Sequence, residues 1–229
     1  MRYYVAVFLA VIVGAFIAVV AEAAEIEVRT TSTGQFITYV GEVETGDADR
    51  LDALMTETGI TDVVLVSPGG MADEGYNLAY VLSKHEATAM VPKGNVCLSA
   101  CATAFMGAKD YIIQGVLGFH VAWSPMEMET NDATRMGQYL GTQDTLHILS
   151  NGFSGQLAML IAGFTTSEVF LVLTQEDFEM FYVRNDDGVD ELKNYFTDTG
   201  VDLDWVNAHL YDGARMTELV LAQRAEMGL

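Results

Sequence analysis

The chain has 229 residues, 51% of them hydrophobic, with 11 Lys and Arg against 32 Asp and Glu for a net charge of −21. That length and apolar content suit one domain with one sizeable core. So acidic a surface argues against nucleic acid or anionic lipid headgroups as partners. The acids are spread along the chain rather than gathered in a tail, so solubility accounts for them.

Met1 and Arg2 precede an unbroken apolar run from Tyr3 to Val20 and the small-x-small site Ala21-Glu22-Ala23. A basic start, an apolar centre and such a site make residues 1–23 an export signal. The run also reaches the lower limit of a membrane-spanning helix, so it serves either as a cleaved signal, the favoured reading, or as a membrane anchor. Either way the rest of the chain is expected outside the cytoplasm, periplasmic or secreted.

Ile26 to Arg29 and Phe36 to Val43 read as strands, rich in β-branched and aromatic residues. Asp47 is the expected cap of a helix that carries Leu51, Leu54 and Met55 and stops at Gly59. Val63 to Val66 is a short continuous apolar strand of the kind buried in a parallel sheet, broken by Ser67-Pro68-Gly69-Gly70. Gly75, Leu78, Ala79 and Leu82 mark a second helix, and Ala87 to Val91 another strand. Strand alternating with helix predicts α/β architecture with parallel βαβ crossovers, whose sites lie beyond the carboxyl ends of the strands.

Asn95 to His120 follows, holding both cysteines, Ser99 and a strand from Val116 to Val121. Cys97 and Cys101 are four apart within what reads as one helical turn. A rigid helix keeps such side chains from disulfide geometry, so two buried free thiols are expected unless Cys97 precedes the helix. A polar loop, Ser124 to Asn131, leads to a long helical stretch from Ala133 to Ala162, with Gly141, Gly152 and Gly155 as candidate interruptions. Ser167 to Thr174 is expected to be helical and Phe178 to Val183 a strand, followed by an acidic tail with helical-period apolars such as Leu203, Val206 and Leu210.

Both Ser67-Pro68-Gly69-Gly70 and the Cys97–Cys101 segment fall at strand-to-helix turns. Paired glycines permit positive φ and close backbone approach, suited to holding a developing oxyanion, although a Pro-Gly-Gly turn alone is most often just a turn. Ser99 at a first helical turn benefits from the positive end of the helix dipole; alone it would be a cap. His120, ending Gly115-Val116-Leu117-Gly118-Phe119, can take the Ser99 proton if the strand end reaches the helix start. His85, His147 and His209 lack such a context and read as structural. No two of the four His share metal-ligand spacing, so no metal site is expected, and chemistry by a Ser–His pair needs no metal or organic cofactor.

The order V-x-L-x-SPGG, then C-x-S-A-C, then a strand ending G-F-H resembles the Clp protease proteolytic subunit (ClpP) superfamily, and more closely its exported, periplasmic ClpP-like branch. The similarity spans about Ile37 to Val183. It implies a crotonase/ClpP-like fold of stacked βαβ units with a long handle helix, through which family members usually form homo-oligomers. It also implies serine-type endopeptidase activity on peptide or unfolded protein substrates. By resemblance Ser99 is the nucleophile, His120 the general base, and the N–H groups of Gly70 and Ala100, with Gly69 shaping the turn, the oxyanion hole. The family's third member, an acid well after the His, falls on Asp177 or Glu179, which would share one face of an extended segment, whereas Glu176 would point the other way. The expected organisation is a signal or anchor (1–23), a ClpP-like peptidase domain (24–185) and an acidic helical extension (186–229).

This chain departs from the family pattern in two places. His120-Val121-Ala122 stands where the family has His-Gln-Pro, and DDGVDELKNYFTDTGVD stands where it has a Glu-Ala helix leading to Gly-Leu-Val-Asp. Two other functions compete with a peptidase: a catalytically incompetent scaffold or binding module of the cell envelope that keeps the fold, and an acyl-CoA-type enzyme. Export and the Ser–His pair speak against the latter.

Overall fold

The computed structural model describes residues 24–32, 34–122, 129–182 and 202–228. The expected export signal and residues 183–201 lie outside these. Among the described residues no helix is long and apolar enough to cross a membrane.

In chain order the elements are β1 (Glu25–Thr30), β2 (Gln35–Val40), α1 (Asp47–Thr58), β3 (Asp62–Val66), α2 (Ala72–Lys84), β4 (Thr88–Val91), β5 (Val96–Leu98), α3 (Ala100–Phe105), β6 (Asp110–Ile113) and β7 (Val116–Phe119), then α4 (Thr130–Ser150), α5 (Gly155–Phe164), β8 (Phe170–Leu173), α6 (Gln175–Phe181), α7 (Leu203–His209), β9 (Leu210–Tyr211) and α8 (Gly213–Glu226). Two sheets result, in the orders β1-β2-β3-β4-β6 and β5-β7-β8-β9. In the first, β1 and β2 are antiparallel and every later pair is parallel. The expected α/β architecture of βαβ units is present. Its crossovers bury Leu51 and Met55 from α1 and Leu78, Ala79 and Leu82 from α2, the apolar stripe legible in the sequence.

The two sheets are stitched where β3 runs on past Val66. Ser67 N–H donates to Val96 O at 2.9 Å and Leu98 N–H to Ser67 O at 3.0 Å, a parallel bridge between Ser67 and Cys97. That crossing carries the Pro68-Gly69-Gly70 turn to the end of β5. Asp47 is the first residue of α1 rather than its cap; its carboxylate accepts the Glu44 N–H at 3.0 Å and the Tyr39 hydroxyl at 2.5 Å.

Two expectations on the second half change, and a third, an interruption of the long helix at Gly152, is met. The stretch expected to be helical near Ser167–Thr174 forms β8, because Leu117, Gly118 and Phe119 offer it an antiparallel ladder. The segment expected as a strand forms α6. Thr174 and Asp177 close a reciprocal capping box at its start, and Phe178 and Phe181, three apart, are buried together. The long helix breaks after Ser150 at Asn151-Gly152, with Gly152 at φ +82°, and resumes as α5 behind the Ser154 cap.

The described part of the C-terminal extension is more than helix. β9 adds to β8, pairing Tyr211 with Phe170 and Leu210 with Leu171. α8 is tied to the turn before β5, where Gly94 N–H donates to Gln223 Oε1 and Arg224 Nε donates to Gly94 O, both at 2.8 Å.

Candidate active site

β5 ends at Leu98, and the chain turns sharply at Ser99 before α3 begins at Ala100. Ser99 sits at φ +55°, ψ −124°, a conformation that L-residues avoid and that costs of order 1–3 kcal/mol unless the surroundings impose it. They do so here. Ser99 N–H donates to Gly118 O at 2.9 Å, and Thr103 N–H donates back to Ser99 O at 2.9 Å. The parallel register sets Leu98 beside Gly118, so Ser99 and His120 leave the ends of neighbouring strands together. The Ser99 hydroxyl lies 2.6 Å from His120 Nε2.

The other ring nitrogen fixes the tautomer. His120 Nδ1 is 3.2 Å from Thr166 O, a carbonyl that can only accept, so Nδ1 carries the hydrogen and Nε2 is free to accept from Ser99. Phe170 packs against the imidazole with ring centroids 4.4 Å apart. Burial pushes the His120 pKa below its ordinary 6.5, opposed by the Thr166 carbonyl and the charge of Asp144. A neutral imidazole beside a hydroxyl at pH 7 is a base in its working state.

The glycine turn faces this pair. A Cβ on Gly69 would come within 2.6 Å of Ser99 Cβ, 2.7 Å of Leu98 O and 3.2 Å of Ser99 Oγ, so only glycine lets the turn lie this close. Val43 bonds to Gly69 O and to Met71 N–H, each at 2.8 Å, which leaves the Gly70 N–H facing away from Val43. Among the described residues, no hydrogen bond occupies the N–H of Gly70 or of Ala100.

The structure brings Ser99, His120, Gly69, Gly70 and Ala100 together, but it does not bring Asp177 or Glu179 to His120. Both stand on α6, where residues two apart diverge instead of sharing a face. The Asp177 carboxylate accepts from Thr174 N–H at 2.9 Å and the Thr174 hydroxyl at 2.5 Å, and pairs with His209 Nε2 at 3.3 Å. Glu179 accepts from Gln175 Nε2 at 2.6 Å, and Glu176 is exposed. Among the described residues, the acid whose charge acts on the imidazole is Asp144 of α4, which the sequence reading passed over. Its trace was available: Asp144 lies four residues before the buried Ile148, an acid on an inward-facing stripe.

The expected free thiols are also corrected. Cys97 and Cys101 form a disulfide with Cα atoms 5.2 Å apart, and no described cysteine is free. Cys97 belongs to β5, and the turn at Ser99 swings the start of α3 back over it, so the helical spacing that would hold the thiols apart does not apply. The bond closes a loop with Ser99 at its centre. Among the described residues, no three His, Cys, Asp or Glu side chains gather as a metal site.

No family model matches the chain. A search of curated proteins finds no match either. Among solved structures, the chain is similar to a serine-to-alanine mutant of the 1510-N membrane-bound stomatin-specific protease, at 15% identity over 65% of this chain and 77% of that one, with a TM-score of 0.44. A lysine-to-alanine mutant of the same protease in complex with a substrate peptide aligns at 18% identity over 62% and 69%, TM-score 0.39. A ClpP1 mutant from Listeria monocytogenes aligns at 16% identity over 66% and 92%, TM-score 0.44.

Proposed function

We propose that this protein is an exported serine peptidase of the ClpP-like type, acting on peptides or unfolded protein segments. The observation that carries the reading is the contact of 2.6 Å between Ser99 Oγ and His120 Nε2, made by a serine in a strained turn and an imidazole whose tautomer leaves Nε2 as acceptor. In this mechanism Ser99 Oγ bonds to the peptide carbonyl carbon as its proton passes to His120 Nε2. The N–H groups of Gly70 and Ala100 stabilise the oxyanion. Collapse of the tetrahedral intermediate breaks the C–N bond, and His120 gives its proton to the leaving amine. Water, deprotonated by the same nitrogen, then releases the acyl group from Ser99.

No metal or organic cofactor enters these steps. Export rests on the apolar start of the sequence. Assembly into a homo-oligomer fits α4, which exposes Tyr139, Leu146 and Leu149 along its length.

The test is covalent labelling by a fluorophosphonate probe of the purified protein beside Ser99→Ala and His120→Ala. The peptidase reading requires an adduct on Ser99 that disappears in Ser99→Ala and slows by about a thousandfold in His120→Ala. A folded protein that takes no adduct refutes it. One observation favours a second reading, a non-catalytic scaffold: His120 Nδ1 meets a backbone carbonyl where a serine triad has a carboxylate.

A further inference from the structure

Transfer of the Ser99 proton leaves a positive charge on an imidazole that burial disfavours charging. Among the described residues, Nδ1 faces the neutral dipole of the Thr166 carbonyl, so a full compensating charge from them has to come from another direction.

Asp144 of α4 is placed to supply it. Its carboxylate is held at both oxygens: Oδ1 accepts the Tyr76 hydroxyl of α2 at 2.5 Å, and Oδ2 lies 3.4 Å from the N–H of Ala122. Ala122 is two residues beyond His120, so one end of the carboxylate grips the segment that carries the base. Burial pushes the Asp144 carboxyl up, whereas Tyr76, Ala122, His147 and His120 pull it down. Among the described residues, the titratable groups around this centre are therefore Tyr76 on α2, His147 on α4 and His120 after β7, with Asp73 and Tyr139 acting in turn on Tyr76. His147 is engaged elsewhere, with Nε2 3.1 Å from Thr103 O and its ring 4.9 Å from that of Tyr76.

We infer that Asp144 is the working carboxylate of this site, a positioning residue that Tyr76 and the Ala122 N–H hold against the segment carrying His120 and whose charge stabilises the imidazolium formed when Ser99 attacks. The role rests on the serine-peptidase reading. It puts the acid on the long helix, in place of one bonded to Nδ1.

A purely structural Asp144 would tie α4 to α2 without touching the titration of His120, and this separates the alternatives. The experiment takes wild type, Asp144→Asn, Asp144→Glu and Tyr76→Phe. It follows each imidazole by NMR titration and measures the rate of fluorophosphonate labelling at Ser99 across pH. In Asp144→Asn the His120 titration and the acid limb of the labelling profile move together to lower pH, and the plateau rate falls about tenfold or more. Asp144→Glu restores most of both, and Tyr76→Phe gives a smaller change in the same direction.

A His120 titration and acid limb that stay in place in Asp144→Asn, whatever the rate, overturn the inference while the peptidase reading stands. If Asp144→Asn does not fold, an unmoved acid limb in Tyr76→Phe overturns it. Absence of labelling in folded wild type refutes the peptidase reading, and the catalytic role of Asp144 falls with it even if NMR shows the two groups coupled.

Discussion

Ser99 and His120 meet because β5 and β7 run parallel in a register that pairs Leu98 with Gly118. The Ser99 N–H bonds to Gly118 O, so the backbone that positions the hydroxyl is itself fastened to the strand that delivers the imidazole. Nucleophile and base are thereby set by a sheet ladder rather than by flexible loops, which keeps the 2.6 Å contact in place before any substrate arrives.

Gly69→Ala tests how tightly the glycine turn is fitted to that pair. The new methyl would clash with Ser99 and Leu98 at a backbone φ of +100°, so the variant loses about 2 kcal/mol or more of stability and most of its labelling at Ser99. Urea denaturation and probe kinetics measure the two effects. A variant with wild-type labelling would show that the turn does not shape the site.

Removal of the disulfide loosens the turn that holds Ser99. For so short a closed loop, Cys97→Ala with Cys101→Ala costs about 2 kcal/mol. Because the loop encloses Ser99, labelling falls further than the loss of folded protein explains. Mass spectrometry with and without reductant checks the bond in the purified wild type, and thermal unfolding of the double variant checks its contribution.

Asp177→Asn separates the acid of α6 from catalysis. The carboxylate completes a capping box with Thr174 and faces His209, so the variant is destabilised by about 1 kcal/mol. Its labelling rate per folded molecule matches wild type. A pH profile displaced in this variant would return Asp177 to the site.

Acid should remove activity and stability together. His120 and His147 are both held below 6.5 by burial, so between their folded values and 6.5 the unfolded chain binds more protons than the native one. Stability therefore rises with pH through that window, is fully present above 6.5, and is lost as pH falls through the folded values. Asp144, raised above 3.8 by burial, has the opposite sign: its contribution is present below 3.8 and lost as pH rises through its folded value. Labelling of Ser99 rises with pH as His120 becomes neutral, with its midpoint below 6.5. Thermal melts and probe kinetics over the same buffers test both curves.

The first half of the chain was legible locally. The alternation of Val63 to Val66 with the Leu78, Ala79 and Leu82 stripe identifies strand and helix because burial follows their different periods. Ser99, His120 and the glycines could be named because the order of their motifs resembles the ClpP superfamily, whereas each alone reads as a cap, a core residue or a turn. Three things were decided only in three dimensions. Phe170 to Leu173 became a strand because β7 presented an open edge, a partner that no window of sequence contains. The cysteines bonded because the backbone reversal at Ser99 cancelled their helical spacing. Asp144, 24 residues past His120 in the chain, came to its neighbourhood because Tyr76 and Ala122 anchor its carboxylate. Periodicity reports which face of an element is buried, and long-range hydrogen bonds and charges decide what that face meets.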